Sequence, residues 1–310
     1  MKNSIITTSM TKILVMSSLV FVFFACEKDT LTESTSREGT KKGVFSVSSD
    51  RQVRFSKGNL QYQASTDTWR FAEHQYDFVG DCDKGNVFYM ASRDTIVIDS
   101  ISNDSIIVTQ YDIMKSCNDS ISKKYEGWID LFGFGTSGYK GKKPTMTTTD
   151  FSQYGDGTKD IAGTDYDWGR YNKISNGGNV SENWRTLSSD EWKYMALERP
   201  NADKLRGAST VNEVVGYIFL PDDYTHVTIE KSYSSLSWTI MEENGAIFLP
   251  YAGYRYDGNK VDLNVGRYWS TTVNSESTAG GMGIIPDGLV FPEGFSRSYG
   301  HSVRLVQDVK

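Results

Sequence analysis

Gly266-Arg267-Tyr268-Trp269-Ser270-Thr271-Thr272 and, further on, Tyr299-Gly300-His301-Ser302-Val303-Arg304-Leu305-Val306 are dense in aromatic, β-branched and hydroxyl residues and read as strands. Upstream, Trp184-Arg185-Thr186-Leu187-Ser188-Ser189-Asp190-Glu191-Trp192-Lys193-Tyr194 passes from a strand pattern into a helix start. Ser188 followed by Glu191 has the capping-box form, and Asp190 and Glu191 both fall in the first turn, where the helix dipole favours acids. Trp192, Met195 and Ala196 then recur at helical spacing and turn one apolar face inward, until Pro200 ends the run.

Outward from these stretches the same short alternating segments continue. Val44-Phe45-Ser46-Val47, Val53-Arg54-Phe55, Leu60-Gln61-Tyr62 and Trp69-Arg70-Phe71 precede them, and Val214 to Leu220 and Ala246 to Leu249 lie between. The expected class is α+β with strands dominating. Residues 119–186 have little periodicity but many rings, as in Trp128-Ile129-Asp130-Leu131-Phe132-Gly133-Phe134 and Asp165-Tyr166-Asp167-Trp168, which predicts a long ordered loop held by buried aromatics. Segment 82–118 stands apart as an inserted hairpin bounded by Cys82 and Cys117. In an oxidising compartment a Cys82–Cys117 disulfide would close its base and contribute about 3–4 kcal/mol by loop closure; two free thiols are the alternative.

Composition narrows the function. The chain has 310 residues, 38% hydrophobic and 13% aromatic, enough for a sizeable core. A net charge of −6 without a basic cluster argues against nucleic acid as a partner. Three His and three Cys leave little material for a His- or Cys-based metal or catalytic centre.

Residues 1–25 carry Lys2 and Lys12, no acid and an apolar run ending at Phe23-Phe24-Ala25, the layout of a secretory signal peptide that is removed. The run is too short to span a bilayer, which takes about 20 apolar residues. Phe23-Phe24-Ala25-Cys26 resembles a bacterial lipobox with Phe in the place usual for Leu, which makes Cys26 the lipidation site and the mature chain membrane-anchored by acyl chains. Glu27-Lys28-Asp29 resembles the acidic signal that sends lipoproteins of some Gram-negative gut anaerobes to the outer face of the outer membrane; the periplasmic face is the alternative. Residues 26–42 read as a flexible tether and 43–310 as one domain. Asp94-Thr95-Ile96, Asp99-Ser100-Ile101, Asp104-Ser105-Ile106 and Asp119-Ser120-Ile121 resemble O-glycosylation acceptors of the same bacteria, a pattern that polar strands also produce by chance.

The Trp184–Tyr194 segment is similar to the strand-then-helix segment of formylglycine-generating, sulfatase-modifying enzymes. The two C-terminal stretches resemble the closing motif of the Fibrobacter succinogenes major paralogous domain family, as do Phe55 to Tyr62 and Gly127 to Gly133. The resemblance covers about 43–80 and 119–307 and implies a C-type-lectin-like fold. It implies no activity by itself, since that fold hosts unrelated functions. Formylglycine-generating relatives depend on a late Cys pair that binds copper, and this chain has no Cys after Cys117, so that chemistry does not carry over. His74, His226 and His301 lie in no recognisable nucleophile motif, and His301 sits in an alternating strand as a structural residue. The C-terminal motif also resembles the variable ligand-binding proteins of retroelements, which implies a recognition surface between Val273 and Tyr299 flanked by Tyr254, Arg255, Tyr256, Tyr268, Asn274, Phe295, Arg297 and Tyr299. Trp269 is expected to face inward.

No calcium-lectin triplet occurs. Asp156, Asp160, Asp165 and Asp167 make an acidic loop that a structural calcium would fit, although the spacing suits a solvated loop better, so no cofactor and no metal are expected. The reading is a lipid-anchored surface protein that is not an enzyme and acts as a ligand-binding or adhesion module for a glycan or protein. An extracellular enzyme on polymers and a subunit of a surface appendage are the alternatives.

Overall fold

The last strand of the chain, Leu305–Asp308, is an interior strand of its sheet, paired on one side with Gln52–Phe55 and on the other with Arg185–Thr186. These strands belong to a computed structural model that describes residues 38–79, 90–98, 105–113, 126–142, 144, 158–225, 228–256, 260–262, 264–292 and 294–309. The class is mixed α+β, rich in short strands with few helices, as the sequence pattern predicts. No helix among the described residues is long and apolar enough to cross a membrane.

Strand Gly266–Val273 shows why the aromatic run is where it is. Tyr268 and Trp269 are neighbours on it and face opposite ways, each fully buried in a different hydrophobic cluster. Period-two alternation therefore feeds two cores at once, and a strand covered on both faces needs no polar side. The Trp269 indole N–H donates to the Phe132 carbonyl at 2.6 Å, and the Trp192 indole donates to the Trp269 carbonyl at 3.2 Å. These bonds satisfy the two ring donors and tie the aromatic loop and the helix to one strand.

Opposite Gly266–Val273 runs Thr278–Ile285, which the sequence reading assigned to the displayed surface between Val273 and Tyr299. It is interior instead. A Cβ on Gly281 would come within 2.4 Å of the Tyr268 carbonyl and 3.0 Å of the Phe295 ring, so glycine is what lets the ring pack directly on the backbone.

The capping box forms as expected. The Ser188 hydroxyl accepts from Glu191 N–H at 3.1 Å while the Glu191 carboxylate accepts from Ser188 N–H at 2.9 Å. Helix Ser189–Lys193 then widens into a π-helical turn, Tyr194–Glu198, and Trp192, Met195 and Ala196 are buried. A second helix, Ser235–Glu243, has no counterpart in the sequence reading. The stretch 126–186 carries the expected buried rings Phe132, Phe134, Tyr166, Trp168 and Trp184. Within 82–118, strands Met90–Ile98 and Ser105–Ile113 pair antiparallel as a hairpin. Cys26, Cys82, Cys117, His226 and Asp156 lie outside the described residues.

Candidate functional site

The residues nominated at the C-terminal end come together, but mostly as interior. Arg255 and Arg297 are 2% and 1% exposed, and Tyr268 and Phe295 are buried with them. The expectation of an exposed cluster is therefore corrected at these four positions. The Arg297 guanidinium lies over the Phe134 ring at 5.1 Å and donates to the Glu276 carbonyl at 2.9 Å, so its charge is covered by a ring and a backbone oxygen inside the fold. Arg255 pairs its backbone with Gly300 in both directions, at 2.8 and 2.9 Å. Tyr254 and Tyr299 are half-buried with ring centroids 6.0 Å apart, and Asn274 is exposed. The Tyr256 side chain lies outside the described residues.

His301 is the hub of this cluster. Its ring stacks on Trp269 and meets Phe295 edge-on, with Tyr254 further out. Neither imidazole nitrogen has a hydrogen-bond partner among the described residues. Burial, reinforced by the charges of Arg267 and Arg255, holds its pKa well below the ordinary histidine value. The neutral ring packs as an aromatic, in keeping with the structural role expected for it.

Two acids of the acidic loop, Asp167 and Asp160, hold backbone groups. Buried Asp167 caps the short helix Trp168–Tyr171, accepting from Gly169 N–H, and also from the Thr186 backbone and hydroxyl. Asp160 accepts from Val273 N–H at 2.7 Å. No group of three or more metal-ligating side chains occurs among the described residues.

A cleft that the sequence reading did not nominate is lined by residues of 61–79, 127–128 and 212–214. It encloses about 550 Å³, and its wall includes Val79 and Gly127, which flank segment 82–118 in the sequence. Its floor is a three-stranded sheet. Leu60–Gln63 pairs with Thr68–Phe71 so that Gln61 faces Arg70, and on its other edge with Trp128–Ile129. Alternation sends Leu60, Tyr62, Trp69 and Phe71 to the core and leaves Gln61 and Arg70 on the other face. There the Arg70 guanidinium lies 3.7 Å above the Trp128 ring, and its Nε donates to Gln61 Oε1 at 2.9 Å. Both contacts hold a long side chain in one position before any ligand arrives.

Facing this sheet is a hairpin tip. Asn212 and Glu213 join strands Arg206–Val211 and Val214–Phe219 with positive φ at both positions, a two-residue turn that projects Asn212 into the cleft rim. The third wall is 73–79, where Asp77 accepts from His74 N–H at 2.9 Å and the exposed His74 ring stacks on Tyr76 at 5.0 Å. Beneath it, Asp130 is fully buried and accepts from Val79 N–H at 2.6 Å; desolvation pushes its pKa up to about 8. Among the described residues the chemistry assembled is aromatic and polar together, with amides, one guanidinium and two carboxylates around Trp128, Tyr76 and Phe78.

Comparison of the chain with family models, with curated proteins and with solved structures finds no match.

Proposed function

We propose that this chain is a lipid-anchored surface protein whose single C-type-lectin-like domain works as a ligand-binding or adhesion module, taking its ligand in the cleft beside Trp128. The observation that carries the binding reading is the immobilised Arg70–Trp128 pair, a cation and a ring held in place at a concave surface by Gln61. Concave sites of several hundred Å³ with a few fixed polar groups among rings are where small ligands and protruding chains bind. Rigidity supports the same reading, since the cleft floor is a sheet with its opposite face in the aromatic core. The anchor follows from Cys26 at the end of the apolar leader and the likeness of Phe23-Phe24-Ala25-Cys26 to a lipobox. The disulfide between Cys82 and Cys117 belongs to this proposal as the clamp at the base of the inserted segment.

Two experiments test it. The mature chain, probed on glycan and host-protein arrays beside Trp128→Ala, should give a signal that the variant loses at an unchanged melting temperature; a signal the variant keeps moves the site elsewhere, and turnover of a polymer makes the protein an enzyme. Cys26→Ser should abolish palmitate labelling and detergent partitioning, and retention of both removes the lipoprotein reading.

A further inference from the structure

If the cleft beside Trp128 is the binding site, as proposed above, the chemistry of its walls limits what it takes. Charge is the first limit. Among the described residues, Glu73 and Asp77 stand against one cation, Arg70, so this lining is net negative and opposes a carboxylated, sulfated or phosphorylated ligand. A cationic side chain meets the opposite obstacle. The ring that would receive it, Trp128, already carries the Arg70 guanidinium on its face at 3.7 Å, and a second positive charge there would sit beside a like charge.

Hydrogen-bonding capacity is the second limit. The carboxylates of Glu73 and Asp77 only accept, the guanidinium of Arg70 only donates, and the amides of Gln61 and Asn212 do both. A partner for this mixture must offer donors and acceptors at close spacing, which hydroxyl groups do because each is both. Between the polar groups lie Tyr76, Phe78 and Val214, which require that the same ligand also present apolar C–H surface. A flat protein surface is the wrong shape, since a stable protein interface takes about 800 Å² per partner and this is a local hollow.

We infer that the cleft takes an uncharged saccharide, with C–H faces against Tyr76 and Phe78 and hydroxyl groups bonded to Asp77, Glu73, Arg70 and Asn212. Arg70 is already oriented by Gln61, so it meets a sugar hydroxyl without first losing freedom.

The mature chain, titrated by calorimetry with neutral gluco-, manno-, xylo- and galacto-oligosaccharides, an oligogalacturonate and a lysine-rich peptide, tests this. The expected result is binding to a neutral oligosaccharide that changes little between about 0.05 and 0.5 M NaCl, because no ion pair with the ligand is screened. Asp77→Asn and Phe78→Ala should each weaken it about tenfold or more, the loss of one charged hydrogen bond or one ring contact. Binding of the oligogalacturonate or the peptide that Trp128→Ala abolishes overturns the uncharged saccharide and keeps the cleft. Neutral-sugar binding that survives in both Asp77→Asn and Phe78→Ala removes the cleft as its site. Binding to no neutral oligosaccharide overturns the inference.

Discussion

The His301 imidazole lies 4.0 Å from the Trp269 indole, centroid to centroid and 24° from parallel, while the Phe295 ring meets its edge at 4.5 Å. A titratable ring is thus used as one leaf of an aromatic stack, and its nitrogens lack hydrogen-bond partners among the described residues. Burial and the nearby Arg267 and Arg255 keep it neutral in the fold, whereas the unfolded chain takes up a proton below about pH 6.5. Because the folded pKa is the lower one, stability is intact above that pH and declines as pH falls below it. His301→Phe should therefore raise the melting temperature relative to the parent more at about pH 5 than at about pH 8. Equal shifts at both pH values would mean that the imidazole does not titrate on unfolding.

Asp130 imposes the opposite slope. Its folded pKa, about 8, lies above the unfolded value of 3.8, so its contribution is fully present below about pH 4 and is lost progressively up to about pH 8. Asn mimics the protonated acid, so Asp130→Asn should match the parent below about pH 4, gain on it as pH rises and hold a level advantage above about pH 8, read from urea midpoints.

Arg185 bridges two acids. It grips Glu191 through both terminal nitrogens at 2.8 and 2.9 Å and Asp308 at 2.7 Å, linking the capped helix to the last strand. Glu191 is 4% exposed and also meets Arg51 at 3.1 Å. Removing the acid leaves Arg185 with Asp308 alone and opens the capping box, so Glu191→Ala should lose about 2–3 kcal/mol. Arg185→Lys should recover only part of the Arg185→Ala loss, since one ammonium lacks the fork that holds both carboxylates. Chemical denaturation of the variants measures both effects.

Arg297→Ala and Trp128→Ala should separate scaffold from site. Deleting the buried Arg297 removes its bond to Glu276 and its packing on Phe134, and a loss of about 2–3 kcal/mol is expected. Half-exposed Trp128 should leave stability within about 1 kcal/mol while ligand binding falls. The reverse pattern in melting and binding assays would restore the C-terminal face as the recognition surface.

Elements with a local signature were legible in the sequence. The capping box at Ser188 and Glu191 and the inward Trp192, Met195 and Ala196 follow from spacing, and the buried Trp269 from being a ring on a central strand; the structure has them. Helix Ser235–Glu243 escaped because its apolar residues are split, Trp238 and Met241 inward and Leu236 and Ile240 outward, which blurs the helical period. Ser234, which accepts from Ser237 N–H, and Gly245 with positive φ just past the helix end were the signals available. Strand Thr278–Ile285 escaped because glycine, normally a turn residue, here permits close packing. Arg255 and Arg297 misled for a related reason, since arginine is rarely interior. The cleft was half visible. Alternation turns Gln61 and Arg70 away from the core, but nothing local says that Trp128 joins their sheet across the inserted segment or that Asn212 faces it.

The position of Leu305–Asp308 between Gln52–Phe55 and Arg185–Thr186 has a consequence for how the protein is born. A chain emerges from the ribosome N-terminus first, so the strand that joins the two others is the last to appear. Until it does, Phe55 and Leu187 lack the Val306 side chain that shares their cluster, and the sheet has a gap in its middle. Closing this sheet thus waits until Leu305–Asp308 has been made, and a chain without that strand leaves the cluster of Phe55 and Leu187 without one of its members.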